Sequence, residues 1–266
     1  MIFKQNKKNV FFLVFKKMRY FIELAYNGKY YHGWQIQKEV KSVEERLEYC
    51  LSKLLKKSIN VVGAGRTDKG VHAQQMFAHF DFENNISPNL IRKLNIFLPR
   101  SIHVFNIFPV KQHIHARFNA ISRIYKYYLT CEKNPFIQDF SWYCFYPLDI
   151  EKMNHATKIL MKYRDFSSFC KKYRKKRVIN NICKIYYAYW SKKDTNFCFT
   201  IEANRFLRNM VRSIIGTLID VGRKKISIDR FIEIIELKND VYPRSTIVPA
   251  CGLFLTKIIY PEDIFL

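Results

Sequence analysis

Acidic side chains are scarce in this chain. Its 266 residues include 22 aspartates and glutamates against 46 lysines and arginines, a formal charge of +24. A balance this basic implies a polyanionic partner, nucleic acid or an anionic membrane surface. The chain nevertheless lacks the apolar-poor composition of a disordered basic tail. Hydrophobic residues make up 48% of it and aromatics 16%, enough to bury a large core. Cysteine pairing is missing as well. Cys50, Cys131, Cys144, Cys170, Cys183, Cys198 and Cys251 are odd in number, and no two form a Cys-x-x-Cys pair. That excludes a disulfide framework and a zinc ribbon or finger, and reads as buried thiols in a reducing cytoplasm. No apolar run approaches the roughly 18 residues of a transmembrane helix. Repeats and low-complexity linkers are absent, and the length fits one large domain or two small ones.

Residues 1–18 carry two basic clusters around Val10-Phe11-Phe12-Leu13-Val14-Phe15. That run is short for a signal-peptide core, and no small-residue cleavage site follows it. The segment reads as an extension outside the fold or a misassigned start, with the folded chain beginning near Met18. A short membrane-surface anchor is the alternative reading.

Beyond Met18 the pattern mixes strands and helices. Arg19–Tyr26 reads as a strand closed by an Asn27-Gly28 turn. Ser42 and Glu45 form a capping box, after which Val43, Leu47, Leu51, Leu54 and Leu55 recur at helical spacing to about Lys57. Short strands are expected at Asn60–Gly63 and Met76–Phe82. A helix follows Ser87-Pro88 and stops at Pro99, and Ile102–Val110 is again strand-like. Ile121–Thr130 is extended and aromatic. Asp149 caps a helix to about Lys162, and two strands lie near Ile182–Trp190 and Phe197–Ala203. Lys171–Arg177 has no apolar periodicity and reads as a basic loop. Arg205–Val221 reads as one helix with Leu207, Val211, Ile214, Ile215 and Leu218 on its core stripe. A short helix near Ser227–Leu237 and a strand near Leu253–Tyr260 end the chain. Without strict βαβ alternation the fold class is α+β with mainly antiparallel sheets. The pattern breaks near residues 111–120, which divides the folded chain into an N-terminal subdomain, 19–115, and a C-terminal subdomain, 116–266.

Four constellations could carry chemistry. The densest is Gly63-Ala64-Gly65-Arg66-Thr67-Asp68-Lys69-Gly70-Val71-His72-Ala73. Its three glycines allow tight bending and close backbone approach. Its one carboxylate, Asp68, lies between two cations that favour the ionised form, which suits a nucleophile or a base better than an acid. It matches neither the Walker phosphate cradle nor the dinucleotide fingerprint. A turn stabilised by an aspartate-to-backbone bond fits the same residues. Second, Arg205, Arg208 and Arg212 fall at i, i+3 and i+7, one helical face able to hold a phosphate or carboxylate, or simply a solvated basic face. Gly216 continues that stripe. Third, Tyr125, Tyr127 and Tyr128 interleave with Arg123 and Lys126, as in readers of unpaired RNA or in a half-buried strand. Fourth, His113 and His115 have the spacing of two metal ligands on a strand, but no third ligand lies near, so no metal site is assigned. No Ser-His-Asp or Cys-His arrangement can be built, and no paired carboxylates flank the glycine loop.

Several ordered blocks resemble one family. Gly65-Arg66-Thr67-Asp68-Lys69-Gly70-Val71-His72-Ala73 resembles the G-R-T-D-x-G-V-H-A signature of the tRNA pseudouridine synthase A family. Tyr26-Asn27-Gly28-Lys29-Tyr30-Tyr31-His32-Gly33-Trp34-Gln35-Ile36-Gln37 resembles its Y-D-G-x-x-Y-x-G-W-Q-x-Q. His115-Ala116-Arg117-Phe118 and Arg123-Ile124-Tyr125-Lys126-Tyr127 resemble its H-A-R-F and R-x-Y-x-Y. Asp165-Phe166-Ser167-Ser168-Phe169 resembles D-F-x-S-F. Ala203 to Arg212 resembles A-N-x-F-L-x-x-M-V-R, and Pro249-Ala250-Cys251-Gly252-Leu253-Phe254-Leu255 resembles P-A-x-G-L-x-L. The blocks run in family order from about residue 19 to 261.

The resemblance implies a pseudouridine synthase fold, two α/β subdomains around a basic central cleft. It implies isomerisation of uridine to pseudouridine at positions 38, 39 and 40 of the tRNA anticodon stem-loop by a cytoplasmic homodimer, with no cofactor and no metal. It assigns Asp68 as nucleophile, Arg212 as its ion-pair partner, and Tyr125 as the residue that stacks on the base and assists proton removal. Arg66 is expected to hold the flipped nucleotide and Leu253 to line the pocket, with Arg205 and Arg208 as further substrate contacts. Lys69 departs from the small residue usual after the aspartate, and Asn27 from the usual aspartate of its block. A non-catalytic RNA-binding module is the competing reading, and simple binding needs no buried carboxylate beside Arg66 and Arg212. Stable membrane association is not expected.

Overall fold

A computed structural model describes residues 17–170, 180–239, 242 and 246–264. The basic stretch Lys171–Arg177 and most of the N-terminal extension lie outside the described residues. Among the described residues nine strands form one mixed, mainly antiparallel sheet, with five α-helices packed against it. In chain order these are β1 (Met18–Tyr26), α1 (Val43–Leu55), β2 (Val62–Gly63), β3 (His72–Phe82), α2 (Leu90–Phe97), β4 (Ile102–Val110), β5 (Ser122–Thr130), β6 (Trp142–Tyr143), α3 (Ile150–Leu160), β7 (Ile185–Lys193), β8 (Asn196–Ala203), α4 (Met210–Gly222), α5 (Ile228–Glu236) and β9 (Leu253–Ile259). The sheet runs β4-β1-β3-β9-β5-β8-β7, with β2 on β3 and β6 on β5. Two pairings, β3 with β9 and β5 with β6, are parallel.

Local chemistry accounts for the starts of α1, α3 and α5. Ser42 accepts from the Glu45 N–H while the Glu45 carboxylate accepts from the Ser42 N–H, the capping box expected at α1. Asp149 and Ser227 accept from Lys152 and Arg230 in the same way at α3 and α5.

Two apolar clusters form the core. One gathers β1, β3, β4, α1 and α2 around Phe21, Ile22, Leu24, Leu47 and Phe80, and it recruits Leu255, Ile258 and Ile264 from the chain end. The other gathers β5, β7, β8, α3, α4 and α5 around Tyr127, Phe166, Phe199, Ile214 and Phe231. Strand β9 therefore serves both clusters and joins β3 to β5 at the middle of the sheet.

Both sheet edges are closed by the same device. The Asn95 amide on α2 donates to the Val104 carbonyl and accepts from the Val104 N–H, each at 2.8 Å. The Asn154 amide on α3 does the same to Trp190 on β7, at 3.0 and 2.8 Å. Each asparagine occupies the outward backbone groups of an edge strand, where another chain could otherwise pair.

Helix α4 departs from expectation. It begins at Met210 rather than Arg205, because Asn209 takes a left-handed conformation, φ 62°, and breaks the run. Strand β3 begins at His72, four residues before the expected Met76, because the polar Gln74-Gln75 pair hides a strand whose two sides both contact protein. The Asn60–Gly63 strand shrinks to Val62–Gly63.

Candidate active site

Asp68 sits on the loop between β2 and β3, and most of what holds that loop comes from residues 26–37. The Trp34 N–H donates to the Thr67 carbonyl at 3.3 Å, and the Gly70 N–H donates to the Tyr31 carbonyl at 3.2 Å. The Tyr26 and Thr67 hydroxyls meet at 2.9 Å in a buried contact. The Gly28 N–H donates to His72 Nδ1 at 3.1 Å, so the other ring nitrogen carries the proton and reaches the Asp139 carbonyl at 3.1 Å. The close approach expected of the loop's own glycines is made largely by these neighbours. A Cβ on Gly28 would lie 2.0 Å from the Val71 carbonyl oxygen, and one on Gly33, at φ +91°, would lie 2.3 Å from that of Thr67. Gly65 has open space around it. The Asn27 side chain accepts from the Lys29 N–H within its turn, and the Asn27 N–H donates to the Ser101 carbonyl.

Arg66 is exposed on the rim, its Nε bound to Gln35 Oε1 at 3.0 Å. Gln35 in turn donates to the buried Glu44 on α1. Burial raises the Glu44 carboxyl above its ordinary value, partly offset by the Ile36 N–H that it accepts. Lys69 is exposed beside Asp68.

The partner facing Asp68 comes from far along the chain. Arg212 Nη1 lies 3.8 Å from Asp68 Oδ2, with both side chains largely shielded from water. A cation in the first turn of a helix opposes the helix dipole. Here it is fixed by a 2.8 Å bond from Nε to the Val248 carbonyl and faces a carboxylate. Arg205 and Arg208 do not share its helical face. They precede α4, with Arg208 exposed and Arg205 half-buried. Gly216 does permit close approach, since a Cβ there would lie 1.7 Å from the Thr246 carbonyl oxygen.

Tyr125 stands on β5, in register with Leu255 on β9, which is itself in register with Ala73. Its ring meets Phe206 edge-on at 5.1 Å. Burial raises its phenol well above the ordinary range, and the Asp68 charge raises it further. Leu253, in register with Tyr127, is buried in the second core cluster. Along the rest of the aromatic strand Tyr127 is fully buried with its hydroxyl on the Pro249 carbonyl, and Tyr128 is half-buried, edge-on to Phe254. Arg123 gives its guanidinium to backbone carbonyls, not to solvent. His115 meets His79 edge-on and Phe118 at a tilt. Among the described residues no group of three or more histidines, cysteines or acids could hold a metal ion, and no helix is long and apolar enough to cross a membrane.

Sequence reasoning missed Tyr26, Gln35 and Leu255 as site-building residues. All three lie inside the family-like blocks, but their spacing carries no chemical signal of its own.

A lone carboxylate on a clamped glycine loop, faced by an arginine and a half-buried tyrosine at the centre of a mixed sheet, defines a carboxylate-centred enzyme of the α+β class. A family model described as tRNA pseudouridine synthase matches residues 159–261. A tRNA pseudouridine synthase A from Azobacteroides pseudotrichonymphae is 52% identical over 248 residues, 93% of this chain and 98% of the relative. Its counterpart from Bacteroides fragilis is 48% identical over 250 residues, 93% and 98% of the two chains. The one from a Geobacillus species is 36% identical over 241 residues, 89% and 96%. This chain belongs to the tRNA pseudouridine synthase A family.

Proposed function

We propose that the chain isomerises uridine to pseudouridine in tRNA, at positions 38, 39 and 40 of the anticodon stem-loop, with Asp68 as nucleophile and no cofactor. The observation that carries the reading is the pairing of Asp68 with Arg212 at 3.8 Å, across the junction of loop and helix. Isomerisation breaks the N1–C1′ bond, turns the uracil, joins C5 to C1′, moves the C5 proton off carbon and leaves a proton on N1. Asp68 attacks either C1′ or C6. A base stacked over the carboxylate would strip its water and favour the neutral acid, and the Arg212 guanidinium opposes that shift.

Tyr125 stacks on the base. Its raised pKa keeps the phenol neutral, so it assists removal of the C5 proton as a relay, its oxygen accepting that proton as its own is passed on, rather than as a standing phenolate base. Leu253 contributes apolar wall. A paired uridine must leave its stack, at a cost of a few kcal/mol, and Arg66 on the rim holds the flipped nucleotide. Arg205 and Arg208 contact phosphates of the bound tRNA in a basic cleft. Two copies of the chain bind one tRNA as a homodimer. The seven cysteines form no disulfide with one another, which supports a cytoplasmic, reducing setting.

Pseudouridine mapping in tRNA incubated with the purified protein tests the activity. Asp68→Asn and Asp68→Ala are expected to lose product formation while tRNA binding survives. Near wild-type turnover in either variant would remove Asp68 from the nucleophile role.

A further inference from the structure

We propose that Arg123 is a positioning residue that sets the Asp68 loop in register with Tyr125 and with the segment leading to Arg212. The inference rests on the functional reading above and extends it to a residue with no assigned role. The Arg123 guanidinium donates to four backbone carbonyls on three separate segments. Nη2 reaches Ala64 at 3.1 Å, at the start of the Asp68 loop, and Arg117 at 2.5 Å. Nη1 reaches Ala120 at 3.1 Å and Asn204 at 2.9 Å, in the turn that leads into α4. Arg123 precedes Tyr125 by two residues on β5, so both side chains leave the same side of the strand. One planar group therefore fixes the origin of the loop bearing Asp68, of the turn before the helix bearing Arg212, and of the strand bearing Tyr125.

The chemistry is specific to arginine. Its donors form a rigid fork that can serve carbonyls in several directions, whereas a lysine ammonium is a single point on a flexible stem. The group is withdrawn from water, and burial lowers its pKa against the opposing influence of Tyr260 and Tyr125. A guanidinium engaged with four carbonyls is not available to clamp a phosphate. Arg123 thus acts on rate through geometry rather than on tRNA affinity through charge. A misplacement of about 1 Å in a reacting group slows a reaction about 10²-fold.

The test compares Arg123→Lys with wild type in single-turnover pseudouridine formation and in tRNA binding, with Asp68→Asn as the reference. The expected result is a loss of about 10²-fold in rate at saturating enzyme, with tRNA Kd within about threefold and a cooperative melt retained. Added guanidinium ion should restore part of the rate to Arg123→Ala. Three results would overturn the proposal: an unchanged saturating rate, a loss confined to tRNA affinity with a smaller salt slope, or a variant that no longer melts cooperatively. An active Asp68→Asn protein would sink the underlying assignment of Asp68. An inactive Asp68→Asn beside a fully active Arg123→Lys would sink only the role of Arg123.

Discussion

Gly33→Ala probes how the Asp68 loop is held without touching the loop itself. Gly33 sits at φ +91°, where a side chain adds strain of roughly 1–2 kcal/mol. Its new Cβ would lie 2.3 Å from the Thr67 carbonyl oxygen and 3.1 Å from the Asp68 carbonyl carbon. Ordinary contact requires the oxygen to retreat by about 1 Å, and the atoms in the way are backbone, not a flexible side-chain tip. The Trp34 N–H to Thr67 bond is lost in the process, worth about 1 kcal/mol. The sum is a destabilisation of about 2–3 kcal/mol. Because Asp68 directly follows the displaced residue, single-turnover pseudouridine formation is expected to fall about 10²-fold. Urea unfolding reads the first number, and product formation with enzyme in excess over tRNA reads the second. Gly65→Ala is the control: nothing lies within 4 Å of its added Cβ, so stability should stay within about 0.5 kcal/mol of wild type. A folded Gly33→Ala protein with wild-type rate would refute the idea that residues 26–37 position the carboxylate.

The sheet-edge clamps predict that Asn154→Ala costs about 1–3 kcal/mol in urea melts and raises light scattering, since it strips both backbone groups of buried Trp190 of their partners. Asn95→Ala should behave alike at Val104, and unchanged melts in both would remove the clamps from the stability argument. Burial, reinforced by the charges of Arg19 and His115, pushes His79 down to about 4. An unfolded histidine titrates near 6.5, so between those values the unfolded chain binds more protons. Stability is therefore complete above about pH 6.5 and falls as the pH drops toward 4, by up to about 3 kcal/mol from this residue. His72 and His115 are depressed in the same direction, so His79→Asn, which keeps an acceptor for the Ala116 N–H, should shrink the acid dependence of the urea midpoint without abolishing it. Finally, tRNA affinity should fall steeply with salt as lysines and arginines displace phosphate counterions, and a flat dependence would exclude backbone-dominated binding.

The parts of this fold legible in the sequence are those decided locally. The Ser42–Glu45 box, the Asp149 cap and the apolar period of α1 involve neighbours within a turn, and each element lies where those residues put it. The start of α4 shows the limit. Arg205, Arg208 and Arg212 have faultless helical spacing, yet one backbone angle at Asn209 places two of them outside the helix. Asparagine tolerates that angle better than most residues, a signal too weak to set against a strong apolar stripe. Arg123 shows the same limit at the site. Next to tyrosines it reads as a phosphate contact, and only the fold reveals four carbonyls converging on it from segments far apart in the chain. The Asp68–Arg212 pair is intermediate. Spacing cannot join a loop before β3 to the first turn of α4, and in the sequence only the resemblance to a family pairs the two. What joins them physically is β9, the strand shared by both core clusters, which pairs with β3 beside the aspartate loop and with β5 beneath Tyr125. Because β9 is bonded on one edge to β3 and on the other to β5, the site is complete only when both halves of the sheet are in place. The geometry of the proposed site is therefore a property of the closed sheet, and perturbations of β9 packing should lower rate before they lower the content of either half.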